Sequence, residues 1–250
     1  MDNNLVNKDT CCIIVAGGSG ERFGNPKGKQ FVDICNKPMV SWSIKAFDEA
    51  PSIGMIVIVT AENRLEDARI VARDVVGCKT PFTVVASGAS RQLSVLNGLK
   101  AVPDTFKYVA IHDGARPLIR VSTIENAIKP LRQDDVLDGT VCGQPAIDTI
   151  KLVDGNTIVK TPNRAFYWSA QTPQTFKLDR IIEAHAWAQE HNIKATDDSS
   201  LIEEMQGYMK LVSSPRDNIK VTVPEDLRPV QAILEGRLVK QQEKGDFSCE

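Results

Sequence analysis

The amino-acid sequence predicts a wound α/β fold on a mostly parallel sheet, with one β-hairpin arm projecting from it. The prediction rests on three observations. Short apolar runs without helical spacing, Cys11 to Val15, Met55 to Thr60, Phe82 to Ala86 and Tyr108 to Ile111, alternate with longer segments of helical character. Four strand-then-helix units in succession imply parallel strands with helices on both faces. Between Thr140 and Gln171 the pattern changes to short alternating runs around Asp154-Gly155-Asn156, a hairpin signal.

The chain opens on a polar segment, residues 1–10, which lacks the apolar core of a signal peptide. The first strand, Cys11 to Val15, runs into Gly17, Gly18, Gly20 and Gly24 with Arg22, Lys27 and Lys29 among them. Pro38 opens a helix carrying Met39, Trp42, Ile44, Ala46 and Phe47, and Pro51 closes it. A helix from about Asn63 to Val76 follows the second strand. After the third, Ser-Gly-Ala-Ser at 87–90 leads into a helix from Arg91 with Ser90 as N-cap. The fourth strand ends in His112-Asp113-Gly114-Ala115-Arg116-Pro117, and Ser122 to Glu125 has the spacing of a capping box.

The hairpin strands are expected at Asp148 to Val153 and Thr157 to Thr161. An extended hairpin must bury its exposed face, so a homodimer is expected through an arm at about 145–172. Beyond it come a helix from Leu178 to Glu190, another from Ser200 to Glu203, a strand at Met209 to Val212 and a last one at Asn218 to Thr222. Glu225, three residues after Thr222, signals a final helix running to Gly236. Residues 11–236 thus read as one domain, with a polar tail at 237–250 expected to be disordered.

At 250 residues and 42% hydrophobic, the chain can bury a sizeable core. The 30 Lys and Arg against 32 Asp and Glu create no global field for nucleic acid or membrane. With no run of 18 apolar residues either, a cytoplasmic protein is expected. Cysteines at 11, 12, 35, 78, 142 and 249 form no C-x-x-C pair and read as reduced thiols. Cys11 and Cys12, adjacent in a strand, point to opposite faces.

Glycines let backbone N–H groups approach an anion and the cations neutralise it, so the first loop suits a triphosphate. Its spacing is neither of the commoner phosphate loops. Gly24, Gly28 and Lys29 are followed by Gln30 rather than Ser or Thr, and Gly18, Gly20 and Gly24 are spaced G-x-G-x-x-x-G. That spacing, with the loop cations, argues against a nicotinamide dehydrogenase. Ligands of such sheets bind at the carboxyl ends of the strands, where this loop, the 87–90 loop and the His112-Asp113 loop all fall. His112 reads as a positioned loop residue, and His185 and His191 as surface residues of a polar helix.

Taken in order, AGGSGERFGNPKGKQF, ASGASRQLSVLNGL, HDGARP, DTIK, TPNR, QTPQTF and DNIKVTVPEDL resemble the 2-C-methyl-D-erythritol 4-phosphate cytidylyltransferases of non-mevalonate isoprenoid synthesis, over about residues 11–235. The resemblance implies a Rossmann-like sheet of nucleotidyltransferase type and transfer of CMP from CTP to methylerythritol phosphate, with Mg²⁺ or another divalent cation. It assigns Arg22 and Lys29 as catalytic cations. Ala16, Gly17, Gly18, Gly88 and Ser94 would hold the cytidine portion, and Asp113 the metal. Arg164 and Lys220 would clamp the acceptor phosphate, with Thr149, Lys151 and Thr172 as further acceptor contacts. Since Thr149 and Lys151 lie at the hairpin base, the acceptor site is expected to draw on the partner's arm.

The implied chemistry agrees with the residues. In-line attack at the α-phosphorus builds negative charge that fixed cations oppose. The attacking phosphate monoester is largely dianionic, with a second pKa of about 6, and requires no general base. Some positions depart from the family. Pro26-Lys27-Gly28-Lys29-Gln30 stands where the family reads Pro-Lys-Gln. The distance from Arg22 and the following Gln30 select Lys29, and Lys27, which follows proline, is its rival. Leu93 replaces a polar or acidic residue and Gly114 an alanine. A ribitol 5-phosphate cytidylyltransferase shares the core, PAIDTI and PNR, and is the alternative; SSLIEE and NIKVTVPEDL lean towards methylerythritol phosphate.

Overall fold

Seven strands form one sheet among the residues described by a computed structural model of the chain, which are 7–18, 23 and 28–246. In chain order the elements begin with β1 (Thr10–Val15), a small ribbon of β2 (Asp33–Ile34) and β3 (Lys37–Pro38), and α1 (Met39–Asp48). Next come β4 (Ile53–Thr60), α2 (Leu65–Ile70) with a π-helical continuation over Val71–Val76, β5 (Phe82–Ala86) and α3 (Arg91–Leu99). β6 (Tyr108–Asp113), α4 (Val121–Gln133) and β7 (Gly139–Pro145) follow, then β8 (Leu152–Asp154), β9 (Thr157–Lys160) and β10 (Trp168–Lys177). The chain closes with α5 (Leu178–Glu190), α6 (Ser199–Glu204), β11 (Met209–Ser213) and α7 (Leu227–Asp246).

The large sheet has the order β11-β7-β10-β6-β1-β4-β5. β10 runs antiparallel to both its neighbours, and the other pairings are parallel. The first four strand-then-helix units therefore stand as the sequence predicts. Cys12, Ile14, Ile56 and Ile58 pack on one face against α1, α2 and α4. Cys11, Ile13, Val57 and Val59 pack on the other against α3, α5 and α6. Both faces are covered, which is why these strands read as continuous apolar runs; burying each such Ile contributes about 1.5–3 kcal/mol. The five described cysteines are free, and burial pushes the Cys11 and Cys142 thiols up to about 12. Cys249 lies outside the described residues. No helix among the described residues is long and apolar enough to cross a membrane.

Several local expectations are corrected. The capping box at Ser122 does not form: α4 has Arg120 at its N-cap without a side-chain bond. Glu125 instead accepts from Ser52 N–H (3.1 Å) and its hydroxyl (2.5 Å), because one turn into α4 its carboxylate faces the start of β4, where two donors await it. At the last helix the carboxylate that accepts from Thr222 N–H (2.7 Å), Thr222 Oγ1 (2.9 Å) and Val223 N–H (3.1 Å) belongs to Asp226 rather than Glu225. Pro224 opens a 3-10 turn, so the N-cap is Val223 and its N3 residue is Asp226. Asn218 to Thr222 is not a strand; Val221 N–H reaches Ala115 O (2.8 Å) without a ladder.

α7 continues past Gly236 to Asp246, where the sequence reading places a disordered tail from 237. Arg237 donates to Leu118 O and to Asp217, both at 2.9 Å, anchoring the turn after the glycine; residues 247–250 lie outside the described residues. His185 is buried on the inner face of α5, not on the surface. The hairpin signal corresponds to β8 and β9, paired antiparallel and exposed along their whole length, with Gly155 at φ +56° in its turn. β10, which contains the QTPQTF motif, is an additional strand that alternation did not reveal, since its inner half is buried on both sides.

Candidate active site

Where β1, β5 and β6 end, their loops enclose a cavity of about 650 Å³, with Gly17, Gly18, Lys29, Gly88, Arg91, Ser94, Asp113 and Lys220 on its wall. It lies at the carboxyl edge of the parallel strands, as such sheets require. Ala16 lies buried beneath it, with its N–H on Val59 O (2.7 Å). Gly17 lets the first loop touch the third, for a Cβ there would stand 2.3 Å from Ser87 Cβ.

Gly88 meets a packing need inside the protein. A Cβ on it would lie 2.8 Å from the Leu93 carbonyl carbon, so the glycine lets the loop fold onto the first turn of α3. Ser94 locks that fold, accepting from Gly88 N–H (3.1 Å) and donating to Ser90 O (2.7 Å). Ser90 caps α3 as the sequence predicts, accepting from Leu93 N–H at 3.1 Å.

Gly28 adopts φ +76°, which the proline of the family pattern could not. It turns the chain into the short helical turn that carries Lys29, whose Nζ donates to Val221 O at 3.0 Å. Lys29 thereby faces the same cavity as Lys220. Arg22 and Lys27 lie outside the described residues, so the structure compares neither with Lys29.

Asp113 is the ionic centre of the wall. Its Oδ2 is 2.8 Å from Lys220 Nζ and 3.7 Å from Arg116 Nε, and its Oδ1 is 3.4 Å from Arg91 Nε. Burial opposes its ionisation, but Arg91, Lys220 and Arg116 outweigh burial and hold the carboxyl well below the usual carboxylate range. Its N–H donates to Thr172 Oγ1 (3.1 Å), and that hydroxyl pairs with His112 Nδ1 (3.0 Å). Burial pushes His112 down to about 4, so the ring is neutral near pH 7. Nε2 faces Arg116 O at 3.3 Å, and a carbonyl accepts only, so Nε2 carries the proton and Nδ1 takes the threonine hydroxyl.

Thr172, expected beside the acceptor, is buried within one chain and holds the main chain at Asp113. Thr149, Lys151 and Arg164 do not reach this cavity within one chain. Thr149 is exposed, Lys151 Nζ donates to Thr161 Oγ1 (2.8 Å), and Arg164 donates to Ile147 O, all around the hairpin.

Arg91, Arg116, Asp198 and Asn218 are site residues that sequence reasoning missed. Arg91 and Arg116 sit inside motifs singled out for their neighbours, which was the available signal. Asn218 donates to Thr172 O (2.9 Å), and its carbonyl accepts from Arg116 Nη1 (2.8 Å). Asp198 has no periodic or motif signal.

No cluster of three or more His, Cys, Asp or Glu exists among the described residues to cage a metal. A lone ionised carboxylate on a cationic wall fits the other kind of Mg²⁺ site, where substrate phosphates and water complete the shell. Glycine backbone and three cations around that carboxylate suit a polyphosphate.

A family model, described as 2-C-methyl-D-erythritol 4-phosphate cytidylyltransferase, matches residues 10–236. The chain belongs to this family. Among curated members, the cytidylyltransferase of Caldanaerobacter subterraneus subsp. tengcongensis is 40% identical over 223 residues, covering 89% of this chain and 97% of that relative. That of Alkaliphilus oremlandii is 38% identical over 229 residues, covering 91% and 96%. The crystal structure of the 4-diphosphocytidyl-2C-methyl-D-erythritol synthase from Anaerococcus prevotii superposes with a TM-score of 0.80 at 25% identity, covering 90% of this chain and 98% of that one. The cytidylyltransferase fold thus extends over most of the chain.

Proposed function

We propose that this cytidylyltransferase joins CTP and 2-C-methyl-D-erythritol 4-phosphate into CDP-methylerythritol and pyrophosphate, as a cytoplasmic homodimer using Mg²⁺ or another divalent cation. The observation that carries the assignment of the site is the cavity in which Lys29, Lys220 and Arg91 share one wall with ionised Asp113. An acceptor phosphate oxygen forms the new bond to the α-phosphorus. The bond to the β-phosphate oxygen breaks, and pyrophosphate leaves with its electron pair.

Lys29, with Arg22 seven residues earlier in the sequence, opposes the charge that grows on the phosphoryl oxygens and the leaving group. The glycine loop and the Ser94-locked loop at Gly88 hold the nucleotide. Asp113, its main chain fixed by Thr172, would hold the metal, which would neutralise the triphosphate. Lys220, whose side chain is 40% exposed, can turn from Asp113 to the acceptor phosphate.

Thr149, Lys151 and Arg164 then act on the partner subunit's cavity. Exposed Ile147, Val153, Ile158, Val159 and Phe166 around the hairpin support an arm that lies on a second copy. The test is pyrophosphate release from CTP and Mg²⁺ with methylerythritol 4-phosphate and with ribitol 5-phosphate in parallel. Release with the first alone is expected; release with the second alone would transfer the enzyme to the ribitol reading, which the named relatives do not favour.

A further inference from the structure

Behind the cavity wall, one guanidinium spans two carboxylates. Arg91, on the first turn of α3, places Nη1 2.7 Å from Asp198 Oδ2 and Nε 3.4 Å from Asp113 Oδ1. Asp198 is 1% exposed, at the start of α6. Its other oxygen, Oδ1, faces His185 Nε2 of α5 at 3.4 Å, an ion-pair distance without hydrogen-bond geometry.

The loop bearing Asp198 is itself fixed. Asp198 N–H and Ser199 N–H both donate to Gln174 Oε1 (3.0 and 3.2 Å), while Gln174 Nε2 donates to Asp197 Oδ2 (2.6 Å). Gln174 lies on β10, beside β6, so the loop is referenced to the same strands that carry Asp113.

We propose that Asp198 is a positioning residue for CMP transfer: it holds Arg91 so that the guanidinium reaches Asp113 from the cavity wall. Two physical effects follow from the bridge. An arginine side chain has many rotamers, and a carboxylate fixed at its far edge removes that freedom before substrate arrives. Asp198 also offsets part of the Arg91 charge and so lowers the excess of positive charge that Arg91, Arg116 and Lys220 place around Asp113. A lysine at position 91 would reach one carboxylate but not bridge both.

The inference rests on the reading that this cavity is where CTP reacts, and wild-type pyrophosphate release tests that reading separately. With the full-length enzyme, kcat, KM for CTP, the calorimetric CTP dissociation constant and the melting temperature are measured for Asp198→Asn, Arg91→Lys, Arg91→Gln and the Arg91→Gln/Asp198→Asn pair. Expected are kcat losses of at least about ten-fold in Asp198→Asn and Arg91→Lys with CTP affinity changed less than about three-fold. In the Arg91→Gln background, Asp198→Asn should add less than about two-fold, since its route of action is already cut. Multiplying losses in the double variant, or near wild-type kcat in Arg91→Lys, would overturn the proposal, and Arg91→Lys decides the matter if Asp198→Asn does not fold.

Discussion

Replacing Asp113 with asparagine preserves side-chain size and leaves the backbone bond to Thr172 in place, so the change isolates one charge. The carboxylate it removes is 2.8 Å from Lys220, 3.4 Å from Arg91 and 3.7 Å from Arg116. Breaking a buried pair from one side costs about 3–5 kcal/mol. The lower end applies, because Lys220 can turn to solvent and Arg91 keeps Asp198, which leaves buried Arg116 as the uncompensated charge. At roughly 2–4 °C per kcal/mol for a chain of this size, the melting temperature should fall by about 6–12 °C near pH 7. The folded carboxyl titrates below its unfolded value of about 3.9, so its stabilisation is fully present above about pH 4 and is lost as pH falls through the folded value. The melting-temperature gap between wild type and Asp113→Asn, followed by circular dichroism, should therefore hold from about pH 8 to about pH 5 and narrow in acid below that. A gap under about 2 °C at neutral pH, or one unchanged at about pH 3, would refute the reasoning that Asp113 is a paired anion.

Lys29→Met should lower kcat by about 10²–10³-fold while changing CTP affinity far less, and equal losses in turnover and binding would remove Lys29 from the transition state. Lys29→Met mixed with Arg164→Ala tests the shared site: if the arm works in trans, subunit exchange restores about a quarter of wild-type activity from two impaired proteins, whereas an arm acting on its own chain restores none. Gly17→Ala should destabilise by about 1–3 kcal/mol through the Ser87 side chain, and Ser87→Gly should restore most of it in thermal melts. Gly88→Ala meets Leu93 Cβ at 2.5 Å and the Leu93 carbonyl carbon at 2.8 Å, so Leu93→Gly should relieve only the first contact and restore stability in part.

The parallel half of the sheet was legible in the sequence because a strand covered on both faces must be apolar throughout, and β1, β4, β5 and β6 stand where such runs occur. The Ser90 cap, the close approach at Gly17 and the placing of Asp113 at a strand end were legible for a similar reason: each answers a local need, an orphan N–H, a tight contact or the end of a buried run. The caps proposed at Ser122 and Glu225 failed because a carboxylate takes whichever donors the fold brings nearest, and these came from Ser52 for Glu125 and, through the Pro224 turn, from Thr222 and Val223 for Asp226. Tertiary structure alone decided the site's wiring. The antiparallel insertion of β10 puts Thr172 behind Asp113, 59 residues earlier in the chain, and the α6 loop puts Asp198 against Arg91 across 107 residues. Periodicity records which face of an element is buried; it carries no information on which distant charges a sheet order will bring within 3 Å, and that pairing is where the chemistry of this cavity resides.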